Sequence, residues 1–322
     1  MSPKNKPDFL RKQTPGRISS QRTTPDKPIT GRQIVKAAAR YVNEHISKQP
    51  PVQRFFSFMP TMLTRVSPFH FKGRSKSDQW PLVRLDSGDG NSWGKMRVVG
   101  ELLIIFDETI LFALLALMTK FNNDAFETSQ SELSRLADIN PTPNALGSIR
   151  KSIQRLAGTR IDLELRSGKG KKRKTLRELT GSILSFADMD KESGQIRIVV
   201  NPYFLEMYAE SFVTNIDLKF RSSLKSDVSK AFYRFYQGQY ESTSDLDLLK
   251  LAKAVNLNMD QERHRLRSKV RTALAELEQK GYLEAFEMTK DNRVMVSRAK
   301  DTAAKFDSQI LDKGKFFLKE SS

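Results

Sequence analysis

The chain of 322 residues contains no cysteine, only three histidines, and 37 acidic residues against 55 Lys and Arg. Without cysteine there is no disulfide, no iron–sulfur cluster and no thiolate zinc site. His45, His70 and His264 are scattered, so no histidine metal cluster is expected, and no cofactor is expected. The opening MSPKNKPDFLRKQTPGR lacks the apolar core of a secretory signal. The best membrane candidate, LLIIFDETILFALLALM at 102–118, is interrupted by Asp107 and Glu108 and is short of the ~20 residues a span needs. A soluble, cytoplasmic protein with no membrane partner is expected.

Chemistry-bearing patterns are also scarce. No Ser–His–Asp set, carboxylate pair in a familiar frame, or nucleotide fingerprint stands out, and GxxxxGK[ST] is absent. The pair of tyrosines in YQGQY (236–240) has the spacing of DNA-nicking rolling-circle initiators. Those enzymes also need a His-hydrophobe-His metal site, which this chain lacks. Phe232, Tyr233, Phe235 and Tyr236 more simply supply aromatic packing for a short helix. The protein is expected not to be an enzyme.

What is abundant is positive charge. The formal net charge is +18, which points to polyanionic partners, nucleic acid ahead of anionic membrane. Residues 1–75 hold 15 Lys and Arg against 3 Asp and Glu, and ten of the 13 prolines lie at or before Pro81. This composition reads as a basic, largely disordered arm. It contains one candidate helix near 30–48, where Thr30 is a fitting cap and Ile34, Ala37, Ala38 and Val42 share a face.

From about Lys95 the composition becomes globular, and one order of elements occurs twice. In the first copy, Asp107 reads as the cap of an apolar helix, ILFALLALM. Next, SQSELSRLADI carries a capping-box signature in Ser129 and Glu132. Beyond Pro141 and Pro143 comes a helix with Leu146, Ile149, Ile153 and Leu156 in one stripe. Residues 160–200 then alternate and turn like a β-hairpin or small meander. In the second copy KSDVSKAFYRFYQGQY is an aromatic helix, and STSDLDLLKLAKAVNL reads as a helix capped near Ser242 or Ser244. RHRLRSKVRTALAELEQKGYL follows as a long third helix, and YLEAFEMTKDNRVMVS closes the copy as a hairpin turning at 290–292. Three helices and a hairpin make a winged helix. The expected fold is α+β, with two winged-helix domains in tandem at 76–210 and 211–300, the arm before them and a tail at 301–322.

The third helix of the second copy carries the sharpest signal. Its basic residues alternate with a strand's period, but Leu266, Val270, Ala273, Leu274 and Leu277 fall on one helical arc. Gly281 supplies the stop. Arg267 and Arg271 then flank one side of the polar face, Arg265 and Lys269 the other, with His264, Ser268 and Thr272 between. Positive charge at the N-terminal end and Glu276 and Glu278 at the other end oppose the helix dipole, each costing ~0.3–1 kcal/mol at low salt. Folding stability does not account for that order, whereas a phosphate backbone does, because a recognition helix enters the major groove N-terminal end first. Arg263, His264, Arg265, Arg267, Ser268, Lys269, Arg271 and Thr272 are therefore expected to read bases in double-stranded DNA. The loop RSGKGKKRKTLR, with Lys169, Lys171, Lys172, Arg173 and Lys174, is expected to clamp phosphates as a wing, and Lys290 and Arg293 to do so at the second hairpin. The first copy's third helix offers only Arg150, Lys151 and Arg155 and looks less suited to reading.

Across roughly 53–298 the chain resembles the iteron-binding, dual winged-helix plasmid replication initiators of the RepA/TrfA type. The resemblance lies in RVVGELLIIFDETILFALLALM, SQSELSRLADI, SDVSKAFYRFYQGQYE and VRTALAELEQKGYLEAF, in that order and spacing. It implies that the C-terminal winged helix reads tandem origin repeats, while the N-terminal one contacts backbone or mediates a homodimer. It also implies origin opening, recruitment of the host replicative helicase and host initiator, and a bacterial, plasmid-associated location. QRFFSF at 53–58 resembles the peptide that docks in the bacterial sliding clamp, through Gln53, Phe56 and Phe58. Phe56 stands where that peptide usually has leucine. The competing expectation is a dimeric winged-helix repressor on a palindromic operator.

Overall fold

The computed structural model describes residues 56–60, 64, 67–71, 83–86, 92–167, 174–190, 192–202, 213–239 and 241–299. The expected arm helix near 30–48, Gln53, the loop residues Lys169, Lys171, Lys172 and Arg173, Tyr240 and the tail lie outside the described residues. Three described strands, β1 (Phe56–Pro60), β2 (Val83–Asp86) and β3 (Ser92–Val99), precede the first described helix, α1 (Ile105–Phe121).

α1 begins two residues before Asp107. Its N-cap is Ile104, placed there because the amides of His70 and Ile105 bond across to Leu103 and His70 at 2.8 and 2.9 Å. Asp107, expected as the cap, sits a turn inside, where its carboxylate accepts from the Ile104 amide at 2.9 Å beside the positive end of the helix. The apolar run is core: Ile110, Leu111, Phe112, Leu114, Leu115 and Leu117 are buried. After β4 (Ala125–Ser129), Ser129 caps α2 (Gln130–Leu136) by accepting from the Glu132 amide at 3.1 Å. Glu132 bonds Lys120 and Thr128, at 3.0 and 3.1 Å. Thr142 and Pro143 start α3 (Pro143–Gly158), which buries Ile149, Ile153 and Leu156.

Four strands follow: β5 (Arg160–Ser167), β6 (Lys174–Ser182), β7 (Leu184–Met189) and β8 (Gln195–Val200). They divide between two sheets. β5 and β6 join β2 and β3 in the order β2-β3-β5-β6, while β7 and β8 pair with β4 in the order β4-β8-β7. The wing of the first unit is therefore the β7–β8 hairpin, turning at 190–194. The expectation that the basic loop forms that wing is corrected: the loop joins β5 to β6 in the other sheet.

The second unit follows β9 (Val213–Asp217) and α4 (Leu218–Ser223). It comprises α5 (Asp227–Gln237), β10 (Thr243–Asp247), α6 (Leu248–Ala254), α7 (Arg263–Gln279), β11 (Leu283–Met288) and β12 (Arg293–Arg298). The helix expected from Ser242 or Ser244 starts later. Residues 243–247 alternate and pair antiparallel with β12, and Asp247 caps α6 by accepting from the amides of Leu249 and Lys250. The sheet order β10-β12-β11 repeats β4-β8-β7. Even the register shift recurs in the same strand of each hairpin, at Leu184/Phe186 and at Leu283/Ala285. The two copies thus share one winged-helix topology.

Part of the segment expected to be an arm is built into this fold. β1 pairs with β9 along its whole length, from Phe56 opposite Asp217 to Pro60 opposite Val213. Phe69 is fully buried, and the Asn256 side chain, in the second unit, donates to the carbonyls of Ser67 and Phe69 at 2.6 and 2.9 Å.

Candidate nucleic-acid interface

α7 is a helix because its apolar residues recur at three and four. Leu266, Val270, Ala273, Leu274 and Leu277 are all buried. It ends in a Schellman motif: the amides of Gly281 and Tyr282 bond the carbonyls of Glu278 and Leu277 at 2.9 Å each, with Gly281 at φ +74°. Its start is less well made. Glu262 is the N-cap but makes no side-chain cap bond, and the first turn has no acidic residue. Arg263, His264, Arg265, Ser268, Lys269, Arg271 and Thr272 are exposed together, as the sequence implies, whereas Arg267 is half-buried.

Several of these cations are already engaged. Arg265 pairs with Glu262 at 3.1 Å on the open surface, a contact worth little in water. Lys269 donates to Gln261 at 2.7 Å. The guanidinium of Arg267 reaches across to the wing, donating to the Met288 carbonyl at 2.9 Å and to Asn292 Oδ1 at 3.2 Å. Arg293 forms a two-toothed pair with Asp245 on β10, at 2.9 and 2.8 Å, which raises its pKa. Lys290 is exposed at the wing tip. The side chains of Arg263, Arg271 and Lys290 make no hydrogen bond or ion pair among the described residues. The structure thus brings the helix set together with Lys290 and Arg293. Lys174 is the first residue of β6, in another sheet, and Phe56 and Phe58 lie in β1.

Glu276, which opposes the dipole of its own helix, has a different employment. Its carboxylate accepts from the Lys225 amide and the Ser229 hydroxyl, each at 2.5 Å, at the start of α5. Desolvation pushes this carboxyl up, but the bonds from Ser229, Lys225 and Ser226 outweigh it and hold the pKa below the usual range. Tertiary structure therefore accounts for Glu276 at the C-terminal end of α7.

Sequence reasoning missed the joint between the units. Glu108 of α1 is fully buried and accepts from Arg221 of α4 at 2.6 Å and Arg234 of α5 at 2.7 Å. Arg221 also donates to Thr109 at 2.7 Å and lies over the Phe112 ring. Next to it, Asp107 accepts from Arg155 Nε and Nη2 at 2.9 and 2.6 Å, which raises the Arg155 pKa. On the second unit's side, Phe220 of α4 packs on Tyr233 and Tyr282, with ring centroids 4.8 to 5.6 Å apart. Two acids inside an apolar run were the available signal, but their partners lie up to 126 residues away. Tyr236 belongs to this core, and burial pushes its phenol pKa up, so it is no accessible nucleophile. Among the described residues no helix is long and apolar enough to cross a membrane.

Two winged helices of one topology, the second presenting a basic helix beside its wing, define a tandem winged-helix protein. Residues 101–237 match the family model described as Initiator Replication protein, WH1. Residues 101–237 of this chain are thus similar to the WH1 domain of the initiator replication proteins. The match ends at Gln237, the last residue of α5, so the family unit includes the helix that bears Arg234. A crystal structure of domain 2 and domain 3 of RctB shares the fold, with TM-score 0.54 at 14% identity over 74% of this chain and 97% of that one. A second RctB structure, of domains 2-3, gives 0.50 at 13% identity over 76% and 99%. The Pi initiator protein in complex with iteron DNA gives 0.42 at 16% identity over 61% and 92%. No curated protein sequence matches the chain.

Proposed function

We propose that this chain is a Rep-type replication initiator that binds tandem repeats in double-stranded origin DNA, with α7 of the second unit in the major groove. The observation that carries the reading is the exposed N-terminal half of α7, with Arg263, Ser268, Arg271 and Thr272, which Arg267 ties to the wing that bears the exposed Lys290. Positive charge there is unfavourable for the helix alone and favourable against phosphate. Arg271 is free to pair with guanine, and Ser268 and Thr272 to meet a base edge or phosphate. The first unit contributes backbone contact or a homodimer interface, aided by the basic loop at 169–174. Bound copies bend DNA and help melt the origin, using binding energy rather than a catalytic residue. The host replicative helicase and host initiator are then recruited to the opened strands, and the segment at 53–58 is a candidate for the sliding clamp. For Phe56 and Phe58 to dock there, β1 has to leave β9.

Footprinting on DNA flanking the gene, across a salt series, tests this. Protection repeating once per direct repeat is expected. A single symmetric footprint over a promoter makes the protein a dimeric repressor instead.

A further inference from the structure

We propose that Arg267 is a positioning residue rather than a base reader: its guanidinium sets the wing against α7, and Lys290 reaches a phosphate only while that bridge is intact. The inference rests on the reading of α7 and its wing as the DNA-contacting pair. Met288 is the last residue of β11 and Asn292 the residue before β12, so the bonds to the Met288 carbonyl and Asn292 Oδ1 tie both ends of the turn to one planar fork. Reading guanine bidentately would require Arg267 to surrender both bonds, since both use its terminal nitrogens.

Asn292 is held from a second side. It sits at φ +64°, which asparagine tolerates, and its carbonyl accepts from the Leu248 amide at the start of α6 at 2.8 Å. Arg293, the first residue of β12, is anchored to Asp245 on β10. Removing the Arg267 fork leaves those two anchors on the β12 side in place, so the hairpin stays folded while the turn that carries Lys290 loses its tie to α7. Arg271, one turn further along the same flank, is exposed with no partner among the described residues. The two arginines share a flank and divide the work: one fixes the surface and the other reads it.

A double-mutant cycle on a single origin repeat and on random duplex tests this. Lys290→Ala in the wild-type chain should weaken both DNAs by roughly threefold to tenfold and flatten the salt dependence by about one unit. In Arg267→Gln the same Lys290→Ala change should cost less than about twofold and leave the slope alone. Asn292→Gly keeps the backbone angle and deletes only the acceptor, so it should shrink the Lys290 effect too. Neither Arg267→Gln nor Asn292→Gly should lower the ratio of specific to random binding, whereas Arg271→Ala should. The proposal fails if Lys290→Ala costs as much in Arg267→Gln as in the wild type. It fails equally if Arg267→Gln lowers the specificity ratio while Asn292→Gly does not. A wild-type chain that does not distinguish the repeat from random DNA defeats the function proposed above instead. Positioning is then still read without DNA, as faster amide exchange at 289–292 in both variants; unchanged exchange overturns it.

Discussion

The third helices of the two units occupy the same place in the same topology and are put to different uses. α3 starts with a threonine cap and Pro143, and it directs its one well-placed arginine, Arg155, inward onto Asp107. α7 starts on Glu262 without a cap bond, carries five basic residues in its first nine, and holds its acids for the far end. The start of α3, a threonine cap followed by Pro143, favours its own stability. In α7 the N-terminal choices oppose it, and Glu276 at the other end serves the neighbouring helix. Of its five N-terminal cations only Arg263 and Arg271 make no side-chain bond among the described residues, and these are the ones left for the DNA contact proposed above.

The largest test of this contrast is at the joint that holds the two units together. Glu108→Ala leaves Arg221 and Arg234 buried without their shared carboxylate, and a loss of about 3–5 kcal/mol is expected in denaturant unfolding. A loss within a few tenths of a kcal/mol would mean that this ion pair does not hold the joint. Next in size, Arg271→Ala on α7 should cost ~1–3 kcal/mol of specific DNA binding and relax base preference, while Lys151→Ala on α3 should leave preference intact. Equal losses of preference would erase the division between the helices.

Glu276→Gln should cost about 1 kcal/mol through the weakened start of α5. It should also remove part of the acid sensitivity of folding. A carboxyl whose folded pKa is depressed contributes stability that is fully present above its unfolded value of 4.5 and is lost as pH falls through the folded pKa. The variant's stability should therefore fall less than the wild type's below about pH 4.5, and parallel pH curves would remove Glu276 from that role. The smallest effect is at the helix start. Glu262→Ser gives α7 the kind of cap that α3 already has and should raise the melting stability by about 0.5–1 kcal/mol. No gain would show that the start of α7 is not short of a cap.

Periodicity made the long helices legible. Leu266 to Leu277 and Ile149 to Leu156 announce their buried faces, and Gly281 announces a stop. The short strands β4 and β10 were not legible. TSDLD reads as the cap of a helix by composition, and only a partner strand, β12, makes it a strand. The wing of the first unit was misplaced for a related reason: β5–β6 and β7–β8 are both hairpins in sequence, and which pairs with β4 is a matter of register across the fold. Asn292 looked like an ordinary turn residue, and its role depends on Arg267 lying 25 residues away.

The sequence alone determined the basic face of α7, the repeated order of helices and hairpins, and the exclusion of thiolate metal and disulfide chemistry, because each is a matter of composition or local period. Tertiary structure alone decided which cations are free. Arg155, Arg221, Arg234, Arg267 and Arg293 are indistinguishable from Arg271 by residue type, and each is engaged by a carboxylate or carbonyl brought from elsewhere in the chain. A guanidinium makes its bonds with whatever acceptor the fold places within about 3 Å, and that distance is not written in the order of residues.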